Sequence, residues 1–350
     1  MFAGKPAPVA EADPPSRISA VNGTVWREIS DPVSPFLGDV GACLEAQLKT
    51  FEPEVAEGAR YALSASGKQL RPVLVALSAQ AVGGISEAHV TGAAIVELIH
   101  LATLVHDDVI DAADVRRQRP TVAARFGNQT AVLLGDCLFA HALKLAAGFP
   151  TPEVCRVVSG ATKAVVSGEI LQTLREGRLD QPLEEYFRVI RLKTAELFAL
   201  ACELGALLAD APASHRTALR RFGLVFGTAY QIFDDCLDVF GTEETAGKTL
   251  GTDLANGKIT LPLLLAHQLA VPADRTRLEQ LLRRHAAGQA RRVRSLLDHY
   301  EAGPRSRAVV EAHLEQAREA LGPLADSPAA NSLSALTHYL EAQVSRLAAA

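Results

Sequence analysis

The sequence is poor in the features that mark disulfide scaffolds, membrane proteins and nucleic-acid binders. Only 5 of its 350 residues are cysteine (Cys43, Cys137, Cys155, Cys202 and Cys236). They are odd in number, widely spaced and form no CxxC pair, which excludes a disulfide framework and argues against a zinc site. Most lie among apolar neighbours and are expected to be buried thiols. With 25 Gly and 18 Pro, both near average use, collagen-like and low-complexity classes are excluded. A net charge of −5 with both signs interspersed speaks against nucleic acid as the main partner. No uninterrupted apolar run reaches the roughly 18 to 20 residues of a membrane span. The most apolar stretch, residues 91–105, is broken by Glu97 and His100. The N-terminus offers Lys5 and then prolines, with no apolar core of a secretory signal. A reduced, cytoplasmic protein is expected.

What is present is the composition of an ordinary globular protein, 48% hydrophobic and 21% charged, with ample chain for a large core. Residues 1–31 carry Pro6, Pro8, Pro14 and Pro15 with little apolar periodicity and are expected to be a mobile extension, from which Val25 and Trp26 could dock. From Pro35 onward apolar residues recur at three- and four-residue spacing, Ala and Leu dominate, and alternating β-branched runs are scarce. Long helices are predicted over 86–114, 129–148, 153–179, 184–210 and 214–240, separated by Gly148-Phe149-Pro150, Asp180-Gln181-Pro182 and Asp210-Ala211-Pro212. No repeat and no shift in composition marks a second domain. The expectation is one all-α domain over residues 32–350, a bundle of ten or more helices.

Two acidic clusters stand out against this apolar background. His106-Asp107-Asp108-Val109-Ile110-Asp111 ends one predicted helix, and Phe233-Asp234-Asp235-Cys236-Leu237-Asp238 lies near the end of another. In a helix, positions i, i+1 and i+4 fall on one face, so each cluster gathers three mutually repelling carboxylates among core-type residues. One such cluster reads as a solvated acidic face; two of identical spacing do not. Hard divalent cations, Mg²⁺ above all, take carboxylate oxygens together with substrate phosphates. Two facing clusters would hold several around one diphosphate, a metal-assisted ionisation site.

Around these clusters the sequence resembles the trans-isoprenyl diphosphate synthase (polyprenyl synthetase) family from about Gly67 to Leu265. The two clusters match its first and second aspartate-rich motifs. Gly67-Lys68-Gln69-Leu70-Arg71-Pro72 resembles its GKxxRP segment, and Glu97-Leu98-Ile99-His100 its E-x-x-H approach. Arg116-Arg117-Gln118-Arg119-Pro120-Thr121 resembles its RRGxPT segment, with Gln118 where Gly is usual. Lys193-Thr194-Ala195, then Gly247-Lys248, Gly251-Thr252-Asp253-Leu254, Gly257-Lys258 and Thr260-Leu261-Pro262, complete the set.

The resemblance implies an isoprenoid-synthase bundle around a central cavity, and head-to-tail condensation of isopentenyl diphosphate with an allylic diphosphate such as farnesyl or geranylgeranyl diphosphate. Asp107, Asp108, Asp111, Asp234, Asp235 and Asp238 would hold Mg²⁺, three ions per site with Mn²⁺ as a substitute, and together with Lys193 would form the catalytic set. Arg116, Lys193, Lys248 and Lys258 would contact the departing diphosphate, which needs its charge stabilised as the allylic C–O bond breaks. Lys68, Arg71, His100 and Arg117 would bind the second diphosphate, which must not ionise. Thr194 and Gln231 would add neutral hydrogen bonds. His106 is given no role. Homodimerisation is implied by the family alone.

Product length is read at Ala102 and Thr103, one turn before the first motif, where short-chain members carry an aromatic floor. Both are small here, so a long product in the heptaprenyl-to-decaprenyl class is expected, with Leu138 or Phe139 able to close the tunnel early. A geranylgeranyl diphosphate synthase is the alternative. A class I terpene cyclase or a non-catalytic synthase subunit would lack one of the two complete aspartate motifs.

Overall fold

The computed structural model describes residues 25–64, 67–242, 251–283, 289–324 and 327–347. Lys248 and residues 1–24 lie outside them, and with them most of the expected N-terminal extension. Its described end, residues 25–30, is helical and runs through a 3-10 turn at Asp31–Val33 into α1 (Ser34–Leu48). Ile29 is buried and Trp26 packs against Tyr339, so this end docks on the bundle.

After α1 come α2 (Pro53–Leu63), α3 (Leu70–Val82) and α4 (Glu87–Ile110). A two-stranded hairpin follows, β1 (Val115–Arg116) and β2 (Arg119–Pro120), and then α5 (Val122–Phe126), α6 (Asn128–Ala147) and α7 (Pro152–Thr173). Next are α8 (Leu183–Ile190), a π-helical turn (Arg191–Ala195), α9 (Glu196–Leu207) and α10 (Ala213–Phe240). The chain ends with α11 (Thr252–Ala255), α12 (Leu261–Leu269), α13 (Pro272–Arg283), α14 (Ala290–His299), α15 (Ala302–Ala320) and α16 (Pro328–Leu347). The architecture is all-α, as the periodicity predicts.

Helix α9 is the hub. It is apolar nearly all round, which suits a helix enclosed on every side, and it packs against α3, α4, α7 and α10. The helix expected over 184–210 is one continuous rod, but its middle widens into the π-helical turn. The helix expected over 86–114 stops four residues early. Asp111 closes α4, Ala112 takes a positive φ of 49°, and the chain leaves for the hairpin.

Helix α4 starts on a reciprocal cap in which His89 stands where Glu or Gln is usual. Its Nδ1 accepts from the Ser86 backbone N–H at 3.0 Å, while Nε2 lies 3.1 Å from the Gly205 carbonyl. Burial lowers the pKa of His89 and suits that neutral tautomer. Helices α4 and α6 are long and apolar enough to cross a membrane, a length the uninterrupted-run criterion missed. Burial within the fold covers 67% of the apolar window of α4 and 39% of that of α6.

Candidate active site

The two acidic motifs end α4 and α10 and line one cavity of about 1570 Å³. That exceeds the ~300–1000 Å³ typical of small-molecule pockets. Its walls combine charged groups at the helix ends with apolar side chains such as Leu104, Phe139, Val165 and Phe198.

Within the first motif, each cation near a carboxylate comes from a different element. Arg116 on β1 donates from Nε to Asp108 Oδ1 at 2.6 Å. Lys258, between α11 and α12, donates to Asp111 Oδ2 at 2.8 Å. Lys193 lies 4.0 Å from Asp107 Oδ2 but sits closer to α7, with Glu169 Oε2 at 2.5 Å and Gln172 Oε1 at 2.7 Å. Burial is the main force on Asp107 and pushes its carboxyl up to about 6, against the pull of Lys193. Burial also raises Asp108, against Arg116.

In the second motif the three aspartates are used differently. Asp235 is buried and accepts at both oxygens, from Tyr186 OH on α8 and from Gln231 Nε2, each at 2.7 Å. Gln231 in turn accepts from Thr194 Oγ1 at 2.8 Å, linking the motif to the π-helical turn. Burial, with the charge of Asp253 behind it, pushes Asp235 up to about 8. Asp238 accepts from the backbone N–H groups of Thr252 and Asp253 at 3.3 and 3.2 Å and so fixes the start of α11. Asp234 lines the cavity.

The π-helical turn brings Lys193 and Thr194 inward, and two glycines make room for it. A Cβ on Gly168 of α7 would come within 2.3 Å of the Lys193 backbone nitrogen. One on Gly227 of α10 would come within 2.8 Å of the Ala195 Cα. The turn is wedged between two helices that only glycine lets approach so closely.

The second basic group assembles at the start of α3. Arg71 is enclosed, its guanidinium over the Phe198 ring at 4.8 Å and its Nε without a hydrogen-bond acceptor. Burial lowers its pKa, opposed by Glu97, whose own carboxyl burial raises. Burial, then Arg71, Arg117 and Arg116, holds His100 well below the ordinary imidazole range, so it is neutral near pH 7. Arg117 reaches Gly67, where an added Cβ would meet Nη2 at 2.7 Å. Arg117 and Gln118 are the central residues of the β1–β2 turn, with φ of 51° and 61°. Positive φ at both is the demand of a type I′ hairpin, which explains why Gly is usual at position 118 and why Gln118 is strained there.

The structure thus brings Lys68, Arg71, His100, Arg116, Arg117, Lys193, Thr194, Gln231 and Lys258 to one cavity with the motif residues Asp107, Asp111, Asp234 and Asp235. Ala102 is corrected. It is fully buried off the cavity wall, because its side of α4 faces the packed core; Thr103, one residue on, lines the cavity. Phe139 does so as well, whereas Leu138 is fully buried. Glu169, Gln172, Tyr186, Trp26 and Tyr339 also line the cavity and escaped the sequence reading. Glu169 and Gln172, one turn apart among apolar residues of α7, carried the only signal of that group.

The sequence matches the polyprenyl synthetase family over residues 52–300. It is 36% identical over 315 residues to the octaprenyl diphosphate synthase of Escherichia coli K12, covering 89% of this chain and 97% of that one. The fold superposes on a decaprenyl diphosphate synthase from Rhodobacter capsulatus with a TM-score of 0.86 at 32% identity, over 92% of this chain and 99% of that one. A polyprenyl synthase from Caulobacter crescentus CB15, complexed with calcium and isoprenyl diphosphate, gives a TM-score of 0.84 at 32% identity, covering 92% and 98%. Two aspartate motifs around one basic, largely apolar cavity, on this fold and with these relatives, place the chain in the polyprenyl synthetase family.

Proposed function

We propose that the protein is a long-chain all-trans polyprenyl diphosphate synthase that extends an allylic diphosphate with isopentenyl diphosphate to a heptaprenyl-to-decaprenyl product. The observation that carries this reading is one cavity of about 1570 Å³ lined both by residues of the two acidic motifs and by apolar side chains such as Leu104, Phe139, Val165 and Phe198.

The donor set fits a hard divalent cation. It is all oxygen, and burial disfavours the ionised Asp107 carboxylate in the absence of a divalent cation beside it. Among the described residues no three His, Cys, Asp or Glu groups converge as a ready-made cage. That agrees with Mg²⁺, which commonly takes one or two carboxylates and completes its shell with phosphate and water. Bound Mg²⁺ (or Mn²⁺), three ions in the family's manner, would supply charge to the diphosphate leaving group. Asp107, Asp111 and Asp234 would hold it. Asp235 and Asp238 act from behind, through Tyr186, Gln231 and α11.

The chain's cations then have two settings. With no diphosphate bound, Arg116, Lys193 and Lys258 rest on carboxylates. On binding they turn to the allylic diphosphate, and the carboxylates they leave face the metal. Lys68, Arg71 and Arg117 hold isopentenyl diphosphate, with neutral His100 donating a hydrogen bond. Its π bond attacks the allylic carbon as the C–O bond breaks, and the departing diphosphate takes the proton released. Thr103 and Phe139 limit the growing chain.

The function would be exercised in the cytoplasm by a homodimer. Leu133 on α6 and Leu174, just past the end of α7, are exposed apolar residues suited to a second copy, beside Val132, Val166 and Ile170, which are exposed at the cavity wall. Incorporation of radiolabelled isopentenyl diphosphate into an acid-labile lipid tests the activity. It should need both a divalent cation and an allylic primer. Incorporation without either would contradict the reading.

A further inference from the structure

Lys68 is held differently from the other lysines of the cavity. Its Nζ donates to Tyr339 OH at 2.8 Å, lying beyond the hydroxyl end of that ring, and stands over the Trp26 ring at 5.9 Å from its centroid. The two rings pack against each other at 5.9 Å. Lys193 and Lys258 each sit on a carboxylate, whereas among the described residues Lys68 makes no ion pair. All three members of the group line the cavity.

The difference has a physical consequence. A carboxylate fixes an ammonium but cancels its field. A ring face and a phenol oxygen fix it through the quadrupole of Trp26 and one hydrogen bond from Lys68 to Tyr339, and leave its net charge to act on an incoming anion. A lysine has a flexible stem whose freedom must be lost on binding, so a side chain already held in place binds an anion at lower cost. The rings come from the two ends of the described chain. Trp26 stands on the helical segment 25–30, anchored by buried Ile29, and Tyr339 stands on α16. Neither belongs to the segments that carry the aspartate motifs or the basic residues.

We propose that Trp26 and Tyr339 are positioning residues, an aromatic cradle that presents a charged, uncompensated Lys68 to the diphosphate of isopentenyl diphosphate. This rests on the reading of Lys68 as a ligand of that substrate. Through the cradle the N-terminal segment and α16 take part in choosing the homoallylic substrate while standing apart from the ionising centre.

Steady-state kinetics with each substrate varied tests this. Trp26→Ala should raise the KM for isopentenyl diphosphate about fivefold, the scale of a lost cation–π contact with its packing. Its kcat and its KM for the allylic substrate should stay within about twofold, because no allylic contact changes. Trp26→Phe, which keeps a ring, should restore most of the loss, and Tyr339→Phe should give a smaller rise. In a Lys68→Ala background Trp26→Ala should add nothing. Trp26 is the only tryptophan in the chain, so its emission reports on the cradle directly. Isopentenyl diphosphate alone should shift that emission in the wild type and not in Lys68→Ala. An equal Trp26→Ala effect with and without Lys68, or one that falls on kcat, overturns the cradle. So does a raised KM in Lys68→Ala while Trp26→Ala and Tyr339→Phe behave as wild type, which leaves the Lys68 reading standing. An unchanged KM in Lys68→Ala itself overturns that reading and the cradle with it.

Discussion

Lys258 reaches Asp111 at the cavity wall, Nζ to Oδ2 at 2.8 Å, joining the segment after the second motif to the last carboxylate of the first. Burial works against the ammonium, but the hydrogen bond and the charge of Asp111 outweigh it and raise its pKa. Lys258 therefore stays charged. Lys258→Ala should raise the KM for the allylic diphosphate roughly tenfold, since a hydrogen bond to a charged group is worth about 1.5–3 kcal/mol. The KM for isopentenyl diphosphate should stay near wild type. Equal effects on both substrates would contradict the assignment of Lys258 to the allylic site.

Asp235 makes stability depend on pH in an unusual direction. Its native pKa of about 8 lies above the ordinary value of 3.8, so the folded state keeps a proton that the unfolded state gives up. Stability must then fall as pH rises toward 8, on the order of 2 kcal/mol between pH 6 and 8. Asp107 acts in the same sense only up to about pH 6. His100, whose pKa is lowered, costs stability only below its ordinary value of 6.5. Thermal melts of the metal-free protein between pH 6.5 and 8 isolate Asp235, and Asp235→Asn should flatten the slope. A wild-type Tm that is flat over this range would contradict the burial of that carboxylate.

Gly168→Ala tests the slot for the π-helical turn. A methyl group 2.3 Å from the Lys193 nitrogen must push the turn away, moving Lys193 and Thr194 with it. Overpacking of this kind costs about 1–3 kcal/mol of stability. A shift of ~1 Å at positioned groups can cost about 10²-fold in rate. Turnover should drop far more than melting temperature, and a variant with wild-type kcat would mean the slot tolerates the methyl group.

The helices and the site were legible to different depths. Period and prolines place α6, α7 and α10 to within a few residues at their starts, because amphipathic spacing is a local property. The aspartate spacings alone point to a metal-and-diphosphate centre. The π-helical turn at Arg191–Ala195 was invisible, since it comes from how Gly168 and Gly227 admit the chain, a relation between three separate helices. For the same reason sequence offset named Ala102 and Thr103 together and could not separate them. One step along a helix turns a side chain by about 100°, and only the packing of α4 says which of two neighbours faces the cavity. Trp26 is legible only as a residue that could dock, and its meeting with Tyr339 carries no signal in sequence because it depends on both ends of the described chain.

That correction changes the expected effect of substitution. Thr103→Phe should shorten the product by narrowing the cavity, while leaving ionisation of the primer intact. Ala102→Phe should instead lower stability by about 1–3 kcal/mol, as overpacking does in a filled core. Chromatography of products beside thermal melts separates the two. A shortened product from Ala102→Phe at unchanged stability would restore Ala102 to the wall.

The most direct measurement is the chain length of the product formed from farnesyl and from geranylgeranyl diphosphate with labelled isopentenyl diphosphate and Mg²⁺, resolved by reversed-phase chromatography after removal of the diphosphate. Both primers should converge on one long product in the heptaprenyl-to-decaprenyl range. Extension of farnesyl diphosphate that stops at geranylgeranyl diphosphate, with no extension of the latter, would contradict it.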